Sequence, residues 1–104
     1  MGLEFRLRVS GGDWPPAVVP PETFLRRLPE LACLAPRALL ATQTSYGTEL
    51  REPRNTSGMP DVVVAIEERG FYILDNNSEL ANLVLAEAMR YLLASCERVT
   101  IEEP

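Results

Sequence analysis

The stretch from Val62 to Leu74 constrains this fold more than any other. Val62-Val63-Val64-Ala65-Ile66 is an unbroken apolar run rich in β-branched residues, and Phe71-Tyr72-Ile73-Leu74 is a second. Glu68-Arg69-Gly70 lies between them with turn chemistry. Two β-prone runs this close predict an antiparallel hairpin. The first run lacks polar alternation, so it predicts a central strand covered on both faces.

The rest of the chain is read around that hairpin. Leu3, Phe5, Leu7 and Val9 alternate with Glu4, Arg6 and Arg8, which predicts a half-buried strand with charges on its outer face. That alternation also predicts no signal peptide. Ser10-Gly11-Gly12-Asp13 ends the strand. Trp14 to Pro21 carries four prolines and reads as a stiff, extended connector. Pro21 suits the first position of a helix whose stripe is Phe24, Leu25 and Leu28. Pro29 stops that helix, and a second short turn over Glu30–Leu34 is expected before Pro36. Between 38 and 52, Leu39-Leu40 suit a helix and Thr42-Gln43-Thr44 a strand. A strand reaching Tyr46 is expected there, with Glu49–Glu52 returning. Residues 53–60 read as a loop.

Asn76, with Glu79 three residues on, has the spacing of a helix cap. The helix it opens runs to about Ser95 with an apolar face of Leu80, Ala81, Val84, Leu85, Ala88, Tyr91, Leu92 and Cys96, widened by Met89 and Leu93. That arc covers about 200°, against the ~100° a helix needs to pack on a sheet. It predicts a further contact, with another helix or with another subunit. Arg98–Glu103 closes the chain as a strand.

The chain has 104 residues, 46% of them hydrophobic, which suffices for one core and one domain over 1–104. The element order predicts an α+β fold: an antiparallel or mixed sheet of four to six strands with two helices on one face. A ferredoxin-like β-α-β-β-α-β arrangement with an extra strand is the nearest common pattern.

Chemistry is narrowed by absences. The sequence contains no histidine, hence no Ser-His-Asp or Cys-His pair and no imidazole ligand. It contains no lysine, hence no Schiff base and no P-loop lysine. Cys33 and Cys96 read as buried thiols and cannot alone form a four-thiolate metal site. Asp75–Glu79 resembles a calcium loop only until Leu80, where glycine is required. Glu67-Glu68 and Glu102-Glu103 sit in a turn and near the end of the sequence, so they read as a charged rim. An enzyme is not expected, nor are a cofactor or a metal.

The net charge is -5, which repels nucleic acid and favours a basic protein partner. No apolar run reaches the roughly 20 residues of a membrane span, and a soluble, cytoplasmic protein is expected. The candidate partner-binding residues are Trp14, Tyr46, Arg51 and Arg54, of the types that anchor protein interfaces, together with the acidic Glu67, Glu68, Glu102 and Glu103. The function expected is therefore that of a small acidic inhibitor or immunity-type protein, neutralising a bacterial toxin or nuclease by binding and occlusion. The alternative is an oligomerising or accessory subunit, such as a homodimer through the Leu80–Cys96 helix. A small-ligand sensor is a third, weaker expectation.

Overall fold

A computed structural model describes residues 3–103. Residues 1, 2 and 104, which the expected domain includes, lie outside the described residues. Six strands form one sheet in the order β2-β3-β4-β5-β1-β6, antiparallel throughout. They are β1 (Leu3–Ser10), β2 (Leu40–Gln43), β3 (Gly47–Arg51), β4 (Val62–Glu67), β5 (Gly70–Asp75) and β6 (Arg98–Glu102). The helices are α1 (Pro21–Arg27) and α2 (Ser78–Leu93). The fold is thus α+β with a six-stranded sheet and two helices. A hairpin, β2–β3, rather than a single extra strand, separates α1 from β4.

The β4–β5 hairpin forms as expected, with Glu67 opposite Gly70 and Val62 opposite Asp75. The apolar residues of β1 follow period two and line one side of the sheet. Register places Leu7, Val9, Leu50, Val62, Val64, Phe71 and Ile73 on that side, and all are fully buried. Both helices pack there: α1 on β3 and β4, α2 on β5 and β6. Phe24, Leu25, Leu80, Val84 and Leu92 complete a single core. Each such side chain contributes about 1.5–3 kcal/mol when fully buried.

The two-sided cover expected for β4 is not present. Val62 and Val64 are buried, whereas Val63 and Ala65 are half-buried and face away from the helices. No helix among the described residues lies on that second side. The β-branched run reflects strand preference and shelter by long neighbouring side chains, rather than a second layer.

Other boundaries also move. β2 stops at Gln43, short of Tyr46, because the Thr44 Oγ1 accepts from the N–H groups of Tyr46 and Gly47 and turns the chain. The α2 cap is Asn77, not Asn76: its side chain accepts from the Leu80 N–H. Asn76 is held elsewhere, its N–H on the Asp61 carbonyl and its side chain on the Pro60 carbonyl. Glu79 pairs with Arg37 rather than reaching back. The second short turn forms before Pro36 as expected, where the Leu34 and Ala35 N–H groups both donate to the Leu31 carbonyl, and 3₁₀ turns flank it at Leu28–Glu30 and Ala35–Arg37. Cys96 is buried as expected, but Cys33 is only half-buried, and both are free thiols. The wide apolar arc of α2 meets another helix: Tyr91 stacks on Phe24 of α1 at 4.2 Å, and Leu85 and Met89 pack against the core. Leu93 alone of that arc is well exposed.

Gly70 begins β5 where β1 passes closest. Its φ is +134°, and a Cβ there would meet the Leu7 carbonyl oxygen at 1.8 Å. Gly58, in the loop, has no neighbour within 4 Å of such a Cβ. Gly70→Ala is therefore expected to destabilise the fold by about 3 kcal/mol or more through clash and backbone strain. Gly58→Ala should stay within about 0.5 kcal/mol of wild type. Urea unfolding midpoints of the two variants check the contrast.

Candidate functional site

The face of the sheet opposite the helices is the broadest feature that packing leaves unexplained. Strand alternation and register place Val63, Ala65, Leu74 and Tyr72 at its centre. Around them stand Glu4, Arg6 and Arg8 from β1, Glu49 and Arg51 from β3, Glu67 from β4, and Arg98 and Glu102 from β6.

These charges meet as pairs. Arg6 Nε lies 3.3 Å from Glu67, Arg8 3.4 Å from Glu102, and Arg51 3.8 Å from Glu49. The Arg6 guanidinium also sits 5.8 Å from the centre of the Tyr72 ring, whose hydroxyl donates to Glu4. In the Arg6 and Arg8 pairs every side chain is more than a third exposed, so each is worth no more than about 1 kcal/mol. They organise the face without deciding the fold. Burial, and next the hydrogen bond to Glu4, push the Tyr72 phenol up to about 12.

The residues singled out from sequence are dispersed. Glu67 and Glu102 lie on the open face, each paired with arginine. They are no bare acidic edge, because β1 runs between their strands and supplies Arg6 and Arg8. Glu68 and Glu103 are exposed. Trp14 is half-buried: its Nε1 donates to the Glu68 carbonyl at 2.7 Å and its ring meets Phe71 edge-on. It is a lid on the core and ties the proline-rich connector to the hairpin turn. Tyr46 is 80% exposed in the β2–β3 turn.

Arg51 donates to the carbonyls of Ser57 and Gly58 and so staples the 52–61 loop. Arg54 lines a cleft of about 500 Å³ between that loop and the start of α2. Asp61 organises the cleft, accepting from the Glu52 N–H at 2.7 Å and from the side chains of Asn55 and Asn77. Asn77 also donates to Glu52, which Arg37 holds at 3.1 Å. The carboxylates of Glu52 and Asp61 and the amides of Asn55 and Asn77 are engaged with one another, as a pinned loop requires.

Sequence reasoning missed Tyr72, Val63 and Leu74 as surface residues, and Asp61 and Asn77 as organisers. The strict alternation of β1 does carry a signal for the face, since it sets Arg6 and Arg8 outward. Buried Glu87 was also missed: it accepts from the Cys33 thiol at 3.3 Å and from Arg90 at 3.0 Å. Burial first, then this carboxylate, raise the Cys33 thiol, which holds it protonated. Among the described residues, no group of three His, Cys, Asp or Glu side chains is placed to hold a metal ion. No described helix is long and apolar enough to cross a membrane. Compared with protein-family models, curated proteins and solved structures, the chain matches none.

Tyr72 on the open face and Tyr91 on the helix side make both sides of the sheet readable by pH. Tyr72 and Tyr91 are each raised from 10.0 to about 12, both chiefly by burial. A raised phenol binds its proton more tightly in the folded state, so the stability it lends is present below pH 10. That stability is lost as the pH climbs from about 10 through about 12. With no lysine, few other side chains titrate in that window. Stability of Tyr72→Phe should fall less steeply there than wild type, as measured by urea midpoints across the window. A slope equal to wild type would show that Tyr72 ionises alike in both states.

Proposed function

We propose that this chain is a small, non-catalytic binding protein that docks on a protein partner through the open face of its sheet. It acts as an inhibitor of the immunity type, neutralising a toxin or nuclease by occlusion. One observation supports this most: an apolar centre of Val63, Ala65, Leu74 and Tyr72, ringed by Arg–Glu pairs, on a side that no described helix covers. An apolar core with a polar rim is the anatomy of protein interfaces, and Tyr and Arg are its most frequent anchors.

The face itself carries arginines and glutamates in balance, so it supplies register rather than attraction. The net charge of -5 supplies long-range steering towards a basic partner. On contact, Arg6, Arg8 and their glutamates, already held by one another, lose little conformational freedom. Trp14 and Arg51 act indirectly, by fixing the connector and the loop beside the face. The alternative, an accessory subunit docking through α2, is supported by the exposure of Leu93 alone.

The test compares Val63→Arg and Tyr72→Glu with Leu93→Glu. Wild type and Leu93→Glu should retain one stoichiometric partner from a native lysate, and the two face variants should bind it at least about tenfold more weakly. An equimolar amount of wild type should abolish the partner's own activity. Unchanged binding by both face variants overturns the docking face. A bound partner that stays fully active overturns inhibition.

A further inference from the structure

We propose that the outer edge of β2 pairs with β2 of a second copy of this chain, joining two sheets across a two-fold axis. The free edge is defined by hydrogen bonding. The Thr44 N–H donates to the Gly47 carbonyl at 2.8 Å, which makes Thr44 and Gly47 a bonded pair. Antiparallel alternation then makes Thr42 with Glu49, and Leu40 with Arg51, bonded pairs as well. The N–H and C=O groups of Ala41 and Gln43 therefore point away from β3. β2 ends the strand order, and all four of its residues are exposed.

Edge strands are ordinarily blunted by charge, proline or a bulge. The opposite edge, β6, carries Arg98 and Glu102. Leu40-Ala41-Thr42-Gln43 carries no charge and no proline. Two large apolar side chains flank it in the open: Leu40, 61% exposed, and Tyr46, 80% exposed. Such an edge fits an extended, uncharged strand.

A second copy supplies that strand in a self-complementary register. Ala41 faces Gln43 of the second copy and Gln43 faces its Ala41, which satisfies four backbone hydrogen bonds. Thr42 meets Thr42 of the second copy on the axis, a favourable cross-strand pair. Leu40 of the second copy arrives beside Thr44, at the turn that carries Tyr46. Charge agrees with this choice. A chain of net charge -5 repels itself at most surfaces, but here the strand is neutral and the nearest charges, Glu49 and Arg51, are paired. The inference stands independently of the proposed function, because the open face remains free in the pair.

The experiment is light scattering over a concentration series, with variants at the axis. Wild type should rise with concentration towards twice the 11.6 kDa chain mass. Thr42→Lys sets two like charges on the axis and should weaken association at least about tenfold. Thr100→Lys, on β6, should leave it unchanged. In this register the two Thr42 Cα atoms are about 4.5 Å apart, as in a pair without hydrogen bonds. That lies within disulfide range, about 4.4–6.8 Å. Thr42→Cys should therefore form a covalent dimer on mild oxidation, and Thr100→Cys should not. The cross-link keeps the test decisive if Thr42→Lys folds poorly by circular dichroism. A chain that stays monomeric at the highest concentration overturns the proposal. So does a dimer indifferent to Thr42→Lys, or failure of Thr42→Cys to cross-link.

Discussion

The strand β1 is bonded along both of its edges, to β5 on one side and β6 on the other. The rest of the molecule is arranged by that double pairing. It joins the beginning of the described chain to segments more than sixty residues away, so β1 takes its place only after β5 and β6 are there to pair with it. It drives Leu7 and Val9 into the core and, by the same alternation, fixes Arg6 and Arg8 on the opposite side. The core and the candidate binding face are thus two outcomes of one strand's register. A slip of one residue would exchange them, burying two arginines and exposing the apolar set.

The two sides of the sheet obey different energetics. On the helix side, fully buried aliphatic and aromatic groups do the stabilising, and the Phe24–Tyr91 stack joins α1 to α2. On the other side, exposed ion pairs contribute little each and leave the surface able to accept a partner. The ends of the strands differ again. At one end the Asp61 network pins a polar loop to the start of α2, and at the other the hairpin turn is capped by Trp14.

Much of the fold was legible in the sequence because short-range chemistry dictated it. The alternation of Leu3 to Val9, the two β-branched and aromatic runs, and the long apolar face of α2 all correspond to observed elements. The misreadings arose where several local solutions were equally good. An unbroken valine run satisfies a one-sided strand as well as a two-sided one. Asn76 and Asn77 are both good caps, and only the Asp61 and Pro60 carbonyls, far off in sequence, decide between them. Residues 38–52 mix both propensities, yet the strand and returning strand expected there do form, and only their ends move. For the candidate site, residue type was a poor guide. Trp14, the most conspicuous anchor, is committed to the core, while Tyr72 was concealed inside an apolar run. The acidic residues looked like a free edge because no sequence pattern reveals which arginine lies across a sheet.

The connector from Trp14 to Pro20 has few amide donors, so little backbone hydrogen bonding holds it down. Two aromatic side chains do that work instead: Trp14 reaches the Glu68 carbonyl, and the Tyr91 hydroxyl donates to the Val19 carbonyl. A segment secured by two side-chain fastenings opens at a lower free energy than a strand hydrogen-bonded along both edges. Because Trp14 is the chain's sole tryptophan and also one of the fastenings, such an opening changes its fluorescence while the sheet is still intact. The protein thereby carries a built-in optical reporter of this one connector, distinct from the strands of the sheet.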